Sequence, residues 1–429
     1  MSVSQPDPTE VRTTGSTGGL TVITEQLPYV GSVALGVAYR LGSRDDPAGK
    51  EGTAHLIEHM VFKGTDRLSG RELNIAAESR GAELNAFTDK EMTFFYGRFP
   101  GDQCAAVTEL LAEVVATPAF APAELAKEKN VVTEEIRTTD EDPEAVAVNL
   151  MLAAVYGEHP MGRPVTGTVA SVAGITDQDL RTFYQTRYRA DQEVVAAAGD
   201  VDHEALLKAL TTLFTNPGQK PPGHRTPAVP QPPRVLVQTR KELTQVYVCL
   251  ARPAFPYTDP RRHALSVLNT ALGGGISSRL FQRLREDEGL VYSVASFVEL
   301  YQDSGLFGIY FVADRRKLAR CLTVLNEELA QLRRDRLSAA EFERARTMTK
   351  SSVLLALESP TSRMMRLART HLMLGRTLTV DETISAYHRL TFEEVASLID
   401  TLLPDGAYHA GVVGPVSQAE VSRLVTGTD

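Results

Sequence analysis

The pattern of this chain occurs twice, with a constant spacing between the two copies. A β-type run, Ser32 to Tyr39 (SVALGVAY), leads to a helical segment, Thr53 to Phe62, and an amphipathic helix closing at a glycine, Leu73 to Gly81. A β-hairpin, Glu83 to Phe99, and a long helix, Asp102 to Ala116, come next. The second half keeps that order in Gln245 to Leu250, His263 to Leu272, Leu280 to Gly289, Val291 to Val312 and Arg316 to Leu332. His263 follows His55, and Gly289 follows Gly81, by the same 208 positions. A fixed offset at separated points indicates duplication of one supersecondary unit. Between the copies, Asn216 to Arg234 holds seven of the 23 prolines. Proline fixes φ and has no N–H for a helix or sheet, so this stretch reads as a stiff spacer.

The chain has 429 residues, too many for one ordinary core. The predicted architecture is α+β: two related domains, each a mostly antiparallel sheet with helices packed on one face, joined by the Pro-rich linker. The predicted boundaries are a flexible lead-in over 1–18, a first domain over 19–215, the linker over 216–234 and a second domain over 235–429. Ala-rich helical runs fill Pro122 to Tyr156 and Ser338 to Leu374.

Composition removes several function classes. A net charge of -9 disfavours a nucleic-acid partner, which needs a basic stripe. Apolar runs are too short to span a bilayer. The N-terminal sequence lacks the basic and apolar regions of a secretory signal and carries Asp7 and Glu10, so a cytoplasmic location is expected. Cys104, Cys249 and Cys321 form no disulfide framework and read as small buried hydrophobes. Gly273 to Gly275 has no following G-K-[ST], so it is no phosphate loop.

One cluster carries chemistry. His55-Leu56-Ile57-Glu58-His59 is H-x-x-E-H, an inverted zinc motif. Residues four apart share a helix face, so both imidazoles reach one ion. Glu58 leans toward the open side of the metal as a general base, while Leu56 and Ile57 face away toward the sheet. Gly52 and Thr53 offer a turn and a capping hydroxyl. A catalytic zinc takes three protein ligands. The third is sought in the acidic helix AELAKEKNVVTEEIR, which contains Glu124, Glu128, Glu134 and Glu135. Glu128 and Glu135 are seven apart, two turns on one face. Glu124 and Glu134 read as solvated helix charges. His159, His203, His224, His371, His388 and His409 lack ligand spacing and are assigned to structure or solvent.

GTAHLIEHMVFKGT, GAELNAFTDKEMTFFYGRF and EKNVVTEEIR together resemble the pitrilysin family of inverted-zincin metallopeptidases. The likeness is to the half-length branch containing the mitochondrial processing peptidase catalytic subunit and bacterial relatives, and it runs from about Gly19 to Pro415. The resemblance implies one Zn²⁺ per chain, with Glu135 as third ligand and Glu128 supporting it. It implies that Asn85, Ala86 and Phe87 lie on an edge strand that pairs with an extended peptide. It also implies that Arg285 and Tyr292, in GGGISSRLFQRLREDEGLVYS, grip substrate and the developing oxyanion. In the second copy Ser266 and Val267 replace Glu58 and His59, so only the first half builds a metal site. A half-length chain of this kind is expected to dimerise, as a homodimer or with a paralogue, into a clamshell that cleaves oligopeptides or removes leader segments. The competing reading is a catalytically silent structural or peptide-binding subunit.

Overall fold

The computed structural model describes residues 10–15, 19–189, 193–213, 225–403, 406 and 408–426. Most of the expected lead-in, and residues 216–224 of the expected linker, lie outside these. Residues 225–234 form neither helix nor strand.

The strands are β1 (Val11–Gly15), β2 (Thr21–Gln26), β3 (Ser32–Tyr39), β4 (Glu83–Thr88), β5 (Thr93–Pro100), β6 (Glu193–Gly199), β7 (Val235–Thr239), β8 (Gln245–Ala254), β9 (Val291–Leu300), β10 (Gly305–Asp314) and β11 (His409–Gly414). In the first half, helices α1 (Thr53–Val61), α2 (Gly70–Glu78), α3 (Cys104–Ala116), α4 (Pro122–Glu141) and α5 (Pro143–Tyr156) are followed by α6 (Val169–Gly174), α7 (Asp177–Arg187) and α8 (His203–Leu213). The second half has α9 (Arg262–Gly273), α10 (Leu318–Asp335), α11 (Ala339–Ala356), α12 (Pro360–Leu374), α13 (Val380–Arg389), α14 (Phe392–Leu402) and α15 (Gln418–Thr426).

The strands make two sheets, in the orders β1-β2-β6-β3-β5-β4 and β7-β11-β8-β10-β9. With β1 set aside, the orders coincide strand for strand. Each sheet has one parallel pair, β2 with β6 and β7 with β11, and is otherwise antiparallel. The duplication read from the sequence is thus a duplication of topology, in an α+β fold.

The expected single helical layer gains a second. In β3, Val33, Leu35 and Val37 join a core with α1 and α3, while Ala34 and Ala38 face Met364, Leu367 and Ala368 of α12. In β8, Val248 and Leu250 pack with α9 and α10, while Cys249 and Ala251 face α5. Strands covered on both faces lose their alternation, which explains the unbroken apolar run SVALGVAY. Each covering helix comes from the other half of the sequence. The compact units are accordingly residues 1–136, 164–225 and 355–379, and residues 137–163, 226–354 and 380–429, rather than the stretches on either side of the linker.

The same device starts both exchanged helices. Asp142 caps α5, accepting from Glu144 N at 3.0 Å, with Pro143 at the first helical position. Ser359 caps α12, accepting from Ser362 N at 3.4 Å, with Pro360 in the equivalent place. These breaks divide the Ala-rich runs, because proline has no N–H to continue the preceding helix. Glycine lets α5 dock closely: a Cβ on Gly411 would lie 2.0 Å from Ala147 O. An ion cluster fixes α12. Glu25, fully buried in β2, binds Arg363 and, at 3.2 Å, Arg366.

Removing one partner of a buried ion cluster leaves uncompensated charge, at a cost of about 3–5 kcal/mol. Glu25→Ala should therefore lower stability by about that amount in chemical denaturation. An unchanged midpoint would contradict the role given to this cluster.

Candidate metal centre

The first unit contains the site. Gly52 precedes helix α1, with φ at 93° and no side chain to offer the open N–H groups of the first turn. A Cβ there would lie 2.5 Å from Thr166 O. Thr53, expected as a cap, instead donates its hydroxyl to Lys50 O at 2.6 Å. The capping group is Asp46, whose Oδ2 accepts from Gly52 N (2.7 Å) and whose Oδ1 accepts from Ala54 N (2.8 Å). Burial raises its pKa to about 7.

Leu56, Ile57, Met60 and Val61 are fully buried beneath the sheet. His55, Glu58 and His59 come together, with ligand atoms within 4.8 Å of one another. Helix α4 supplies the remaining groups. Its buried stripe is Leu125, Glu128, Val132 and Ile136, with Glu135 beside it, partly exposed. Glu135 Oε1 lies 3.7 Å from His55 Nε2, and its Oε2 lies 3.5 Å from His59 Nε2. Ligand atoms about 2.0–2.2 Å from a tetrahedral zinc stand about 3.3–3.6 Å apart, so these separations suit a shared ion.

Glu128 orients the second imidazole. Its Oε2 lies 3.2 Å from His59 Nδ1, and its Oε1 binds Lys63 Nζ at 2.8 Å. A carboxylate only accepts, so His59 donates from Nδ1 to Glu128, which leaves Nε2, on the Glu135 side, as the atom that would meet a metal. Three carboxylates against one ammonium leave two formal negative charges, which a divalent cation balances. Burial lowers the pKa of His55 to about 4, keeping it a neutral donor of electrons. Burial also acts to lower His59, but hydrogen bonds to Glu135 and Glu128 outweigh it and raise the value. The hydrogen bond to His59 lowers Glu135. Burial raises Glu58, whose Oε2 is buried without a hydrogen-bond partner among the described residues.

Strand β4, carrying Asn85, Ala86 and Phe87, is the outer strand of its sheet and packs beside α1. Asn85 is exposed, and its Oδ1 accepts from Ala86 N at 2.8 Å. Phe87 stacks on Phe94, centroids 5.6 Å apart. Arg285 and Tyr292 belong to the second unit. Arg285 lies in the π-helical turn Phe281–Asp287, its guanidinium 4.9 Å from the Phe281 ring centre. Tyr292 is 75% exposed and is the extra residue of a β-bulge, since Val312 pairs with Ser293 and Ala313 with Val291. Bulges re-aim side chains in this way.

Lys63 and Asp46 went unassigned in the sequence. Lys63 stands four residues after His59, in the turn that follows α1. In the second unit, His263 packs edge-on against Tyr387, centroids 5.1 Å apart, as a structural residue. His203 bridges Thr14 and Thr24, and His409 bonds Ala154 O. No described helix is long and apolar enough to cross a membrane.

The sequence model for insulinase (peptidase family M16) matches residues 21–169, and that for the peptidase M16 inactive domain matches residues 174–349. A Mycobacterium tuberculosis protein named as an uncharacterized zinc protease is 39% identical over 410 residues, covering 94% of this chain and 93% of its own length. The chain belongs to the M16 peptidase family. An M16 relative from Bacillus subtilis, also named a zinc protease, is 34% identical over 398 residues, covering 92% of this chain and 96% of its own. Two solved structures show the M16 fold at lower identity. A peptidase M16 inactive domain from Pseudomonas fluorescens gives a TM-score of 0.86 at 22% identity, over 95% of this chain and 98% of its own. A chain of complex III2 from Candida albicans gives 0.83 at 18%, over 96% and 97%. The stretch that holds His55, Glu58, His59, Glu128 and Glu135 is the one matched by the insulinase model.

Loss of a helix cap costs about 1 kcal/mol. Asp46→Ala should lower stability by about that amount or more, since Gly52 cannot substitute, and should weaken metal affinity through α1. Unchanged thermal unfolding and metal affinity would show that Asp46 does not set the helix.

Proposed function

We propose that this chain is a zinc-dependent endopeptidase acting on oligopeptides or unfolded peptide segments. One observation carries the reading: a single Glu135 carboxylate faces Nε2 of both His55 and His59, with the Glu58 carboxylate, its Oε2 buried and unbonded, beside them. His55, His59 and Glu135 would hold the zinc, which when bound supplies Lewis acidity and a water of lowered pKa. Glu58, made more basic by burial, is suited as a carboxylate to accept the proton of the attacking water. It then delivers that proton to the departing amine. Glu128 keeps the His59 proton on Nδ1. The exposed edge of β4 supports an extended peptide through main-chain hydrogen bonds, which suits broad sequence tolerance.

Arg285 and Tyr292 are assigned to substrate and oxyanion contact, contributed by a second chain in a dimer. A homodimer is favoured, because one chain holds both the ligand set and these two residues. Removal of leader segments is one use of such a site. The three unpaired cysteines suit a reducing compartment, so a cytoplasmic location goes with this reading.

Glu58→Gln should keep about one zinc per chain and lose roughly 10²–10⁴-fold in peptide turnover. His59→Ala should lose the metal as measured by elemental analysis. Digestion of a peptide library, followed by mass spectrometry, reads the first variant. Full activity of Glu58→Gln would overturn the assignment, and an inactive wild-type protein with bound zinc would favour the silent-subunit reading.

A further inference from the structure

On the α12 face of the first sheet, a cavity of about 110 Å³ is lined by Thr21, Arg40, Glu193, Val194, His371 and Leu372. These residues take no part in the metal centre. Three polar groups in the lining keep unused hydrogen-bonding capacity, although the Glu193 carboxyl also bonds Tyr39. Glu193 is 4% exposed, and its Oε1 is buried with no hydrogen bond. His371 Nδ1 is likewise buried and unbonded. The Arg40 guanidinium makes no hydrogen bond or ion pair with any described residue, and only its carbonyl is used, by Arg225 at 3.0 Å. The carboxylate whose charge acts on Arg40 is Glu91, which is already engaged by Arg44 and Arg225.

A half-buried guanidinium stays charged at every accessible pH, so its lack of a counter-charge calls for an anion. Glu193 does not oppose one. Burial raises its pKa to about 8, so near neutral pH it is largely a neutral carboxyl able to donate. His371 is lowered by burial and by Arg40, and offers a neutral imidazole. The volume equals about three or four waters, or one oxyanion of four or five heavy atoms. Water satisfies hydrogen bonds here but not the charge.

We infer that this cavity binds a small oxyanion, a carboxylate or inorganic phosphate, held by Arg40 with His371 and Glu193 as flanking hydrogen-bond partners. Binding at this place ties α12 to the ends of β2, β3 and β6, so it reads out as stability of the first unit.

Thermal unfolding of the full chain, with zinc and ionic strength held constant, tests this in sodium phosphate, sodium acetate and sodium chloride. Phosphate or acetate should raise Tm by ~2 °C or more over chloride near saturation. A response to phosphate alone marks a tetrahedral ligand, and a response to acetate marks a carboxylate. Arg40→Gln should raise the half-effect concentration at least tenfold, while Arg40→Lys should keep part of the response. If Arg40→Gln does not fold, His371→Phe is read by the same criterion. Equal Tm values in all three salts, or equal responses in wild type and variants, would overturn the site.

Discussion

The site depends on two helices facing each other with matched periodicities. Helix α1 presents imidazoles four residues apart, and α4 presents carboxylates seven apart. One turn on the first thus meets two turns on the second. His59 sits between the two carboxylates, with Nδ1 committed to Glu128 and Nε2 to Glu135. That division fixes the ring orientation and aims Nε2 toward the place a shared ion would occupy. Lys63, in the turn that follows α1, anchors Glu128 from the other side. The excess negative charge that results favours a cation among these groups.

What was legible in the sequence was periodic. The spacing of His55 and His59, the pair Glu128 and Glu135 and the hairpins follow from local geometry, and the offset read from the sequence recurs between the starts of β4 at Glu83 and β9 at Val291. What was illegible was tertiary. Asp46 lies in the loop RDDPAG, and nothing local says which of the two aspartates folds back onto α1. The exchange of α5 and α12 was equally hidden. The runs Pro122 to Tyr156 and Ser338 to Leu374 show where helices break, at Pro143 and Pro360, but not which sheet the following helix covers. Gly411 hints at that contact only once the helix is known to lie on it.

Duplication followed by divergence explains the asymmetry between the units. The second unit keeps the sheet order and the helix that starts at Arg262, but Ser266 and Val267 stand where the first unit has Glu58 and His59. His263 is consequently released to pack against Tyr387. The second unit instead offers a bulged outer strand with an exposed Tyr292. The two copies therefore hold different chemical inventories on one topology, and each chain has one candidate metal centre among its described residues.

The central claim is that two imidazoles and one carboxylate from this chain hold zinc. X-ray absorption at the zinc edge of the purified protein tests it most directly. The account predicts two imidazole nitrogens near about 2.0–2.1 Å and oxygen ligands near about 2.0–2.2 Å, with no sulfur. Sulfur scattering near about 2.3 Å, or a coordination shell with fewer than two imidazoles, would contradict it.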